Sequence, residues 1–340
     1  MPIETGQRLG DYEVIDLIES NKTGVTFKVR NDLLQRFEAL RVLPKTFQDD
    51  QEQVTRFLRE AKVHARISHP NIVTFYHATQ LDGQLVMTTE LVEGTTLAQR
   101  LELGPLSLEE TVSYFSQVLS GLAHAHALGV VHRDLTPAHI ILTSDGRVKL
   151  TGFALAKATT DPQLTQPGTV LGSLDYISPE QVKGLGELDA RTDIYSLGIV
   201  LYEAVTGRRP FQEKSQFEVM LAHVNSIPLA PSIVNPQVAP ELSDIILKAI
   251  AKHPAARFQT ADEFRRNLEQ LCGVAEMGSM PAAEPAPVYE PDMETPPVLE
   301  SEPIAEAVSG QPWNTWTLAA AGVFIFLVFL WAFMLVVRRF

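Results

Sequence analysis

Short apolar runs alternate with polar ones from Asp11 to about Cys272, the pattern of a chain that folds round a packed core. Four early segments, Tyr12–Leu17, Val25–Arg30, Glu38–Leu43 and Gln84–Thr89, are rich in Val, Phe and Leu and predict strands. Between the third and fourth, Val54, Leu58, Ala61 and Ala65 recur at helical spacing and predict a helix with those side chains inward. After Gly104 the pattern turns helical. Ser107-Leu108-Glu109-Glu110 reads as a capping box, in which hydroxyl and carboxylate each satisfy an amide of the first turn. The helix that follows is expected to bury Val112, Phe115, Leu119, Leu122 and His126 and to stop at Gly129. The fold class is therefore α+β, a small strand-rich lobe followed by a larger helical one.

Downstream the composition changes twice. Gly273–Pro312 holds eight prolines, eight acidic residues and neither Lys nor Arg. It has too few large apolar side chains to offset its ordering entropy and predicts a disordered, self-repelling spacer. Trp316–Val337 is 22 residues without a charge. At about 1.5 Å per residue that crosses a ~30 Å hydrocarbon core. Trp313 and Trp316 at one edge and Arg338-Arg339 at the other suit the two interfaces. The expected organisation is a tail (1–10), a folded domain (11–272), the spacer (273–312), a transmembrane helix (313–337) and a short end (338–340). The two arginines favour an inside C-terminus, yet no signal peptide precedes the domain. The reading adopted is a single-pass membrane protein, tail-anchored, with the domain cytoplasmic. A formal charge of −13 argues against nucleic acid as a partner, and one cysteine, Cys272, excludes an internal disulfide.

The chemistry lies in an ordered series of motifs. Val131-His132-Arg133-Asp134-Leu135-Thr136-Pro137-Ala138-His139-Ile140 falls between a helix and a strand. Upstream stand Glu38-Ala39-Leu40-Arg41-Val42, a helix bearing Glu60, and His69-Pro70-Asn71. Downstream stand Gly152-Phe153-Ala154, Ser178-Pro179-Glu180, Asp193-Ile194-Tyr195-Ser196-Leu197-Gly198 and Arg257. Over Tyr12–Leu271 this order and spacing resembles the eukaryotic-like serine/threonine protein kinases, particularly those of bacteria. The resemblance implies a two-lobed kinase fold and a cleft for ATP, with phosphoryl transfer achieved by positioning and charge neutralisation. It places Asp134 at the base position and Arg41 at the position of the family's strand lysine, with Glu60 as the partner of Arg41. It places Gly24, Thr26, Ala39, Arg41, Glu90 and Val92 along the nucleotide.

Several positions depart from that pattern. Arg41 spreads its charge over a planar fork where the family has a compact ammonium. Gly152 stands where the family has a metal-binding aspartate, and His139 where it has a metal-binding asparagine. An imidazole is a poor ligand for a hard, oxygen-seeking cation, so no metal site is expected and Mg²⁺ binding is not. Asp145 lies in a turn between strands and reads as solvated. Glu19 and Asn21 replace two phosphate-loop glycines, Thr26 a valine, and Thr136 a lysine. ATP binding is expected to be weak and independent of metal.

Other positions keep the family's structural residues. Asp193 resembles the aspartate that holds the His132–Arg133 backbone, Glu180 and Arg257 resemble a buried ion pair, and Phe153 and His132 match two positions of an internal stack. Thr165 and Thr169 are candidate phosphosites in the activation segment. His124 and His126, two apart on a helix, point to packing rather than metal, and Asp161, Glu187 and Asp189 read as solvated surface acids. Three functions remain open. One is a membrane-anchored pseudokinase, a scaffold or allosteric partner of other kinases and signalling proteins. The second is an atypical active serine/threonine kinase. The third is a nucleotide sensor that works without metal.

Overall fold

The computed structural model describes residues 3–21, 24–44, 47, 50–153, 157–158, 174–184 and 188–278. Alternation of inward and outward side chains builds the first lobe. β1 (Arg8–Leu9), β2 (Tyr12–Asn21), β3 (Gly24–Asn31), β4 (Arg36–Val42), β5 (Phe75–Leu81) and β6 (Gln84–Glu90) form one antiparallel sheet in the order β1-β2-β3-β4-β6-β5. Phe27, Val29, Leu40 and Val42, at every second position of β3 and β4, are buried with Leu9, Tyr12, Val14 and Val86. β5 has no counterpart among the expected strands. It is an edge strand whose central residues, His77 to Gln80, are all exposed, so it carries no alternating signal.

α1 (Gln51–His64) starts at Asp50, whose carboxylate accepts from the N–H groups of Glu52 and Gln53. Its buried residues are Phe57, Glu60, Ala61, Val63 and His64, whereas Leu58 and Ala65 are exposed. The expected stripe through Val54, Leu58, Ala61 and Ala65 is thus rotated. Two polar residues, Glu60 and His64, sit on the inner face, and a count of apolar positions cannot see them.

The second lobe is mainly helical: α2 (Leu97–Leu101), α3 (Leu108–Ala127), α4 (Pro179–Val182), α5 (Ala190–Thr206), α6 (Gln216–Asn225), α7 (Pro231–Val234), α8 (Pro240–Ala249) and α9 (Ala261–Gly278). β7 (Gly94–Thr96), β9 (Ile140–Thr143) and β10 (Val148–Leu150) form a small sheet, and β8 (Val130–Val131) pairs with β11 (Lys157–Ala158). The Ser107 capping box is present, and α3 buries Val112, Phe115, Leu119 and Leu122 as expected. Its largely buried His126 meets Asp193, on the central helix α5, which is buried along almost its whole length. Asp189, whose side chain is half exposed, also has a structural role. Its carboxylate caps α5 by accepting from the Arg191 N–H and pairs with the Arg191 guanidinium. Helix α9 continues through Gly278, six residues past the expected boundary at Cys272.

Among the described residues no helix is long and apolar enough to cross a membrane. Ala154, Asp161, Thr165, Thr169, Glu187 and the expected transmembrane segment lie outside the described residues.

Candidate active site

The cleft begins on β3 and β4, where the register sets Thr26 opposite Arg41 and Lys28 opposite Ala39. This brings Gly24, Thr26, Ala39 and Arg41 together, as expected from their positions. Gly24 is there for room. A Cβ on it would come within 2.9 Å of Arg41 Nε and 3.2 Å of the Val42 carbonyl, so the long arginine passes beneath a residue with no side chain. Arg41 Nη1 reaches Glu60 Oε1 on α1 at 2.5 Å, and both side chains are mostly buried. Burial pushes the Glu60 carboxyl up, and the Arg41 guanidinium opposes that rise.

Glu90, expected along the nucleotide, has its side chain engaged within the protein. Its Oε2 accepts from the Thr74 N–H at 3.1 Å, the Thr74 hydroxyl at 3.0 Å and Lys149 Nζ at 2.8 Å. That side chain ties the end of β6 to the second lobe. Burial alone would raise its carboxyl, but Lys149 and Thr74 hold it below the usual range. Val92 follows in the segment between β6 and β7 and is half-buried.

Below the cleft, the loop after β8 hangs from α5. Asp193 Oδ2 accepts from the His132 N–H at 2.8 Å and Oδ1 from the Arg133 N–H at 2.8 Å, while His126 Nε2 meets Oδ2 at 2.7 Å. Burial would raise the Asp193 carboxyl, yet these partners leave it below the usual carboxylate range. Arg133 takes a positive φ of 71°, a conformation that two bonds from one carboxylate and the Gln181 amide, donating to the Arg133 carbonyl, together impose. His132 Nε2 donates to the Thr151 carbonyl at 2.8 Å, and burial pushes its imidazole below the usual histidine range.

A stack of rings crosses from lobe to lobe. Phe153 lies 4.7 Å from His132 and 5.6 Å from His64, which in turn lies 5.7 Å from Phe75. His132 and Phe153 were expected to meet. His64 and Phe75 were not, although His64 follows Glu60 by four residues and so shares its helix face. Glu180 and Arg257 also meet as expected, through two bonds of 2.7 and 2.8 Å. Their shell includes Thr192, whose hydroxyl donates to Glu180 at 3.0 Å.

Asp134, Thr136, Pro137, Ala138 and His139 line a cavity of about 430 Å³ together with Leu101, Tyr176 and Glu203. No sequence signal singled out Glu203. It lies on α5 with the Tyr176 hydroxyl donating to its carboxylate at 2.7 Å, and burial raises its carboxyl.

These observations have a common source. The protein kinase domain family matches residues 12–267. The chain belongs to that family. A probable serine/threonine-protein kinase of Clostridium perfringens is 38% identical over 268 residues, covering 78% of this chain and 39% of that protein. The serine/threonine-protein kinase PrkC of Bacillus subtilis is 35% identical over 266 residues, covering 78% and 41% respectively. The chain thus spans about two-fifths of the length of these curated relatives. The crystal structure of the PknI kinase domain of Mycobacterium tuberculosis aligns with a TM-score of 0.62 at 26% identity, over 79% of this chain and 99% of that one.

A kinase cleft implies a divalent cation beside the nucleotide, and the residues here do not fit one. Gly152 offers no donor, and the space beside it is taken: a Cβ there would lie 2.5 Å from His139 Cδ2 and 2.7 Å from its Cγ.

Proposed function

We propose that this kinase-family chain is a pseudokinase, a membrane-anchored signalling protein that acts as a scaffold or allosteric partner of other kinases. One observation carries the reading: the His139 ring occupies the space beside Gly152 where a metal-binding side chain would have to enter. Phosphoryl transfer depends on metal, lysine and glutamate acting at once, so a cleft without the cation loses most of its charge neutralisation. Arg41 is held by Glu60 at the position of the family's strand lysine. Nucleotide binding, on this reading, is weak and independent of Mg²⁺. The domain acts in the cytoplasm, tethered by Trp316–Val337.

A second reading, an atypical active serine/threonine kinase, is favoured by the assembled Arg41–Glu60 pair and the continuous ring stack from Phe75 to His132. One experiment separates the two. The purified full chain is incubated with labelled ATP, Mg²⁺ or Mn²⁺, and a general protein substrate, beside an Asp134→Ala control. The pseudokinase reading expects equal background in both. Incorporation that Asp134→Ala abolishes establishes the second reading.

A further inference from the structure

We propose that His139 and Gly152 form one fitted unit, in which the imidazole fills the place of a residue-152 side chain and keeps a divalent cation out by occupancy. The proposal deepens the pseudokinase reading and rests on it only for the cation. Two replacements that look like separate losses in the sequence are, in space, each other's condition.

The fit is tight on both sides. A Cβ on Gly152 would meet His139 Cδ2 at 2.5 Å, Cγ at 2.7 Å and Nε2 at 2.9 Å, distances that real Cβ atoms do not adopt. The ring is also not at liberty to swing away. Its Nδ1 lies 2.6 Å from the Asp134 carbonyl and 3.2 Å from the Thr136 hydroxyl. A carbonyl only accepts, so Nδ1 carries the proton. The backbone on either side is bonded as well: His139 N–H donates to the Thr136 carbonyl at 3.1 Å, and Thr151 N–H donates to the His139 carbonyl at 2.9 Å. Moving the ring therefore gives up a short, well-placed hydrogen bond in a half-buried site. Gly152 itself has φ of +87°, which resists a side chain independently of the clash.

Backbone strain and steric conflict can be told apart because the chain supplies its own control. Gly146 has a similar φ of +78°, but a Cβ there would meet nothing within 4 Å. Thermal unfolding of the full chain is measured for Gly146→Ala, Gly152→Ala, His139→Ala and the Gly152→Ala/His139→Ala pair. Gly146→Ala reports left-handed strain alone and is expected to lower Tm by about 3 °C. Gly152→Ala adds overpacking and is expected to lower it by about 8 °C. In the His139→Ala background the same glycine change falls back to the Gly146 value. Additive effects at the two positions overturn the proposal.

The second arm reads the cation. Thermal shift with ADP is compared with and without Mg²⁺ for the wild type, Gly152→Asp, and the Gly152→Asp/His139→Asn pair. Only the pair is expected to gain a shift of several degrees that Mg²⁺ supplies and EDTA removes. A Mg²⁺-dependent shift in Gly152→Asp alone, or a folded pair that ignores Mg²⁺, overturns exclusion by occupancy. If Gly152→Asp does not fold, the alanine cycle still decides whether the unit exists. Phosphotransfer by the wild type would refute the pseudokinase reading and leave the alanine cycle untouched, so the two failures are distinguishable.

Discussion

Acid should unfold this domain in part through one histidine on α6. His223 is fully buried, with Nδ1 2.9 Å from the Tyr195 hydroxyl and its ring 5.0 Å from that of Phe211. Its Nε2 is buried, and the Asp175 backbone beside the ring partly offsets the cost of charging it. Lys252 Nζ donates to the carbonyls of Ala222 and His223, which brings a cation beside the ring. Burial first, and Lys252 second, push the imidazole down to about 4. In the unfolded chain it titrates near ~6.5. Between those two values the unfolded chain holds a proton that the folded chain refuses. Stability from this group is complete above about pH 6.5, falls as pH drops through the window, and falls no further below about 4. At ~1.4 kcal/mol per pH unit, the whole window costs about 3 kcal/mol. Urea unfolding of the wild type and His223→Gln from pH 7 to pH 4 tests this. The glutamine variant is expected to be less stable at pH 7, and its deficit should shrink by about 3 kcal/mol on reaching pH 4. Burial also holds His64 and His132 down, but both are common to the two proteins and cancel in the difference. Parallel stability curves would refute the reasoning.

Arg257→Ala should be among the most destabilising single changes in the helical lobe. All the donors of this fully buried guanidinium are engaged, by Glu180 and by the carbonyls of Ala251, Arg191 and Lys252. Removing it strands the Glu180 charge at a cost of about 3–5 kcal/mol, or about 10 °C in Tm by calorimetry, and a loss under ~2 °C would contradict the account. Deleting Leu318–Phe340 should move the protein from the membrane pellet to the soluble fraction with the domain's Tm unchanged. A truncated protein that stays in the pellet without aggregating would require another membrane contact.

How much was legible in the sequence depended on whether a residue acts through a neighbour in the chain or through one far away. The Ser107 capping box is a contact over three residues, and it formed as read. The kinase motifs fixed which residues meet Asp193 and Arg257, because their spacing carries the fold with it. The inner face of α1 was misread, since Glu60 and His64 earn burial through Arg41 and Phe75, 19 and 11 residues away, and not through their own hydrophobicity. His126 packs inward and Asp189 is half exposed as their positions suggest, but that one braces Asp193 and the other caps α5 is not visible in spacing. The Gly152 and His139 replacements were both visible, but that one fills the space left by the other is a fact of distance that no spacing contains.

The separation between scaffold and chemistry has a physical basis in where the catalytic loop is held. Asp193 grips the loop from below, through the amides of His132 and Arg133, and His126 braces the same carboxylate. None of these bonds uses a cleft-facing side chain at residue 139 or 152. The Glu180–Arg257 pair is likewise remote from nucleotide chemistry, and Gln181 carries its position to the loop through the Arg133 carbonyl. A buried charge in either cluster cannot be removed without stranding its partner, whereas neither Gly152 nor His139 belongs to those clusters. The Arg41–Glu60 pair extends the same logic to the first lobe. Arginine is longer than lysine, and Gly24 gives it the room to keep its bond to α1. The bonds that hold the loop and the Arg41–Glu60 pair therefore do not depend on what stands at residues 139 and 152.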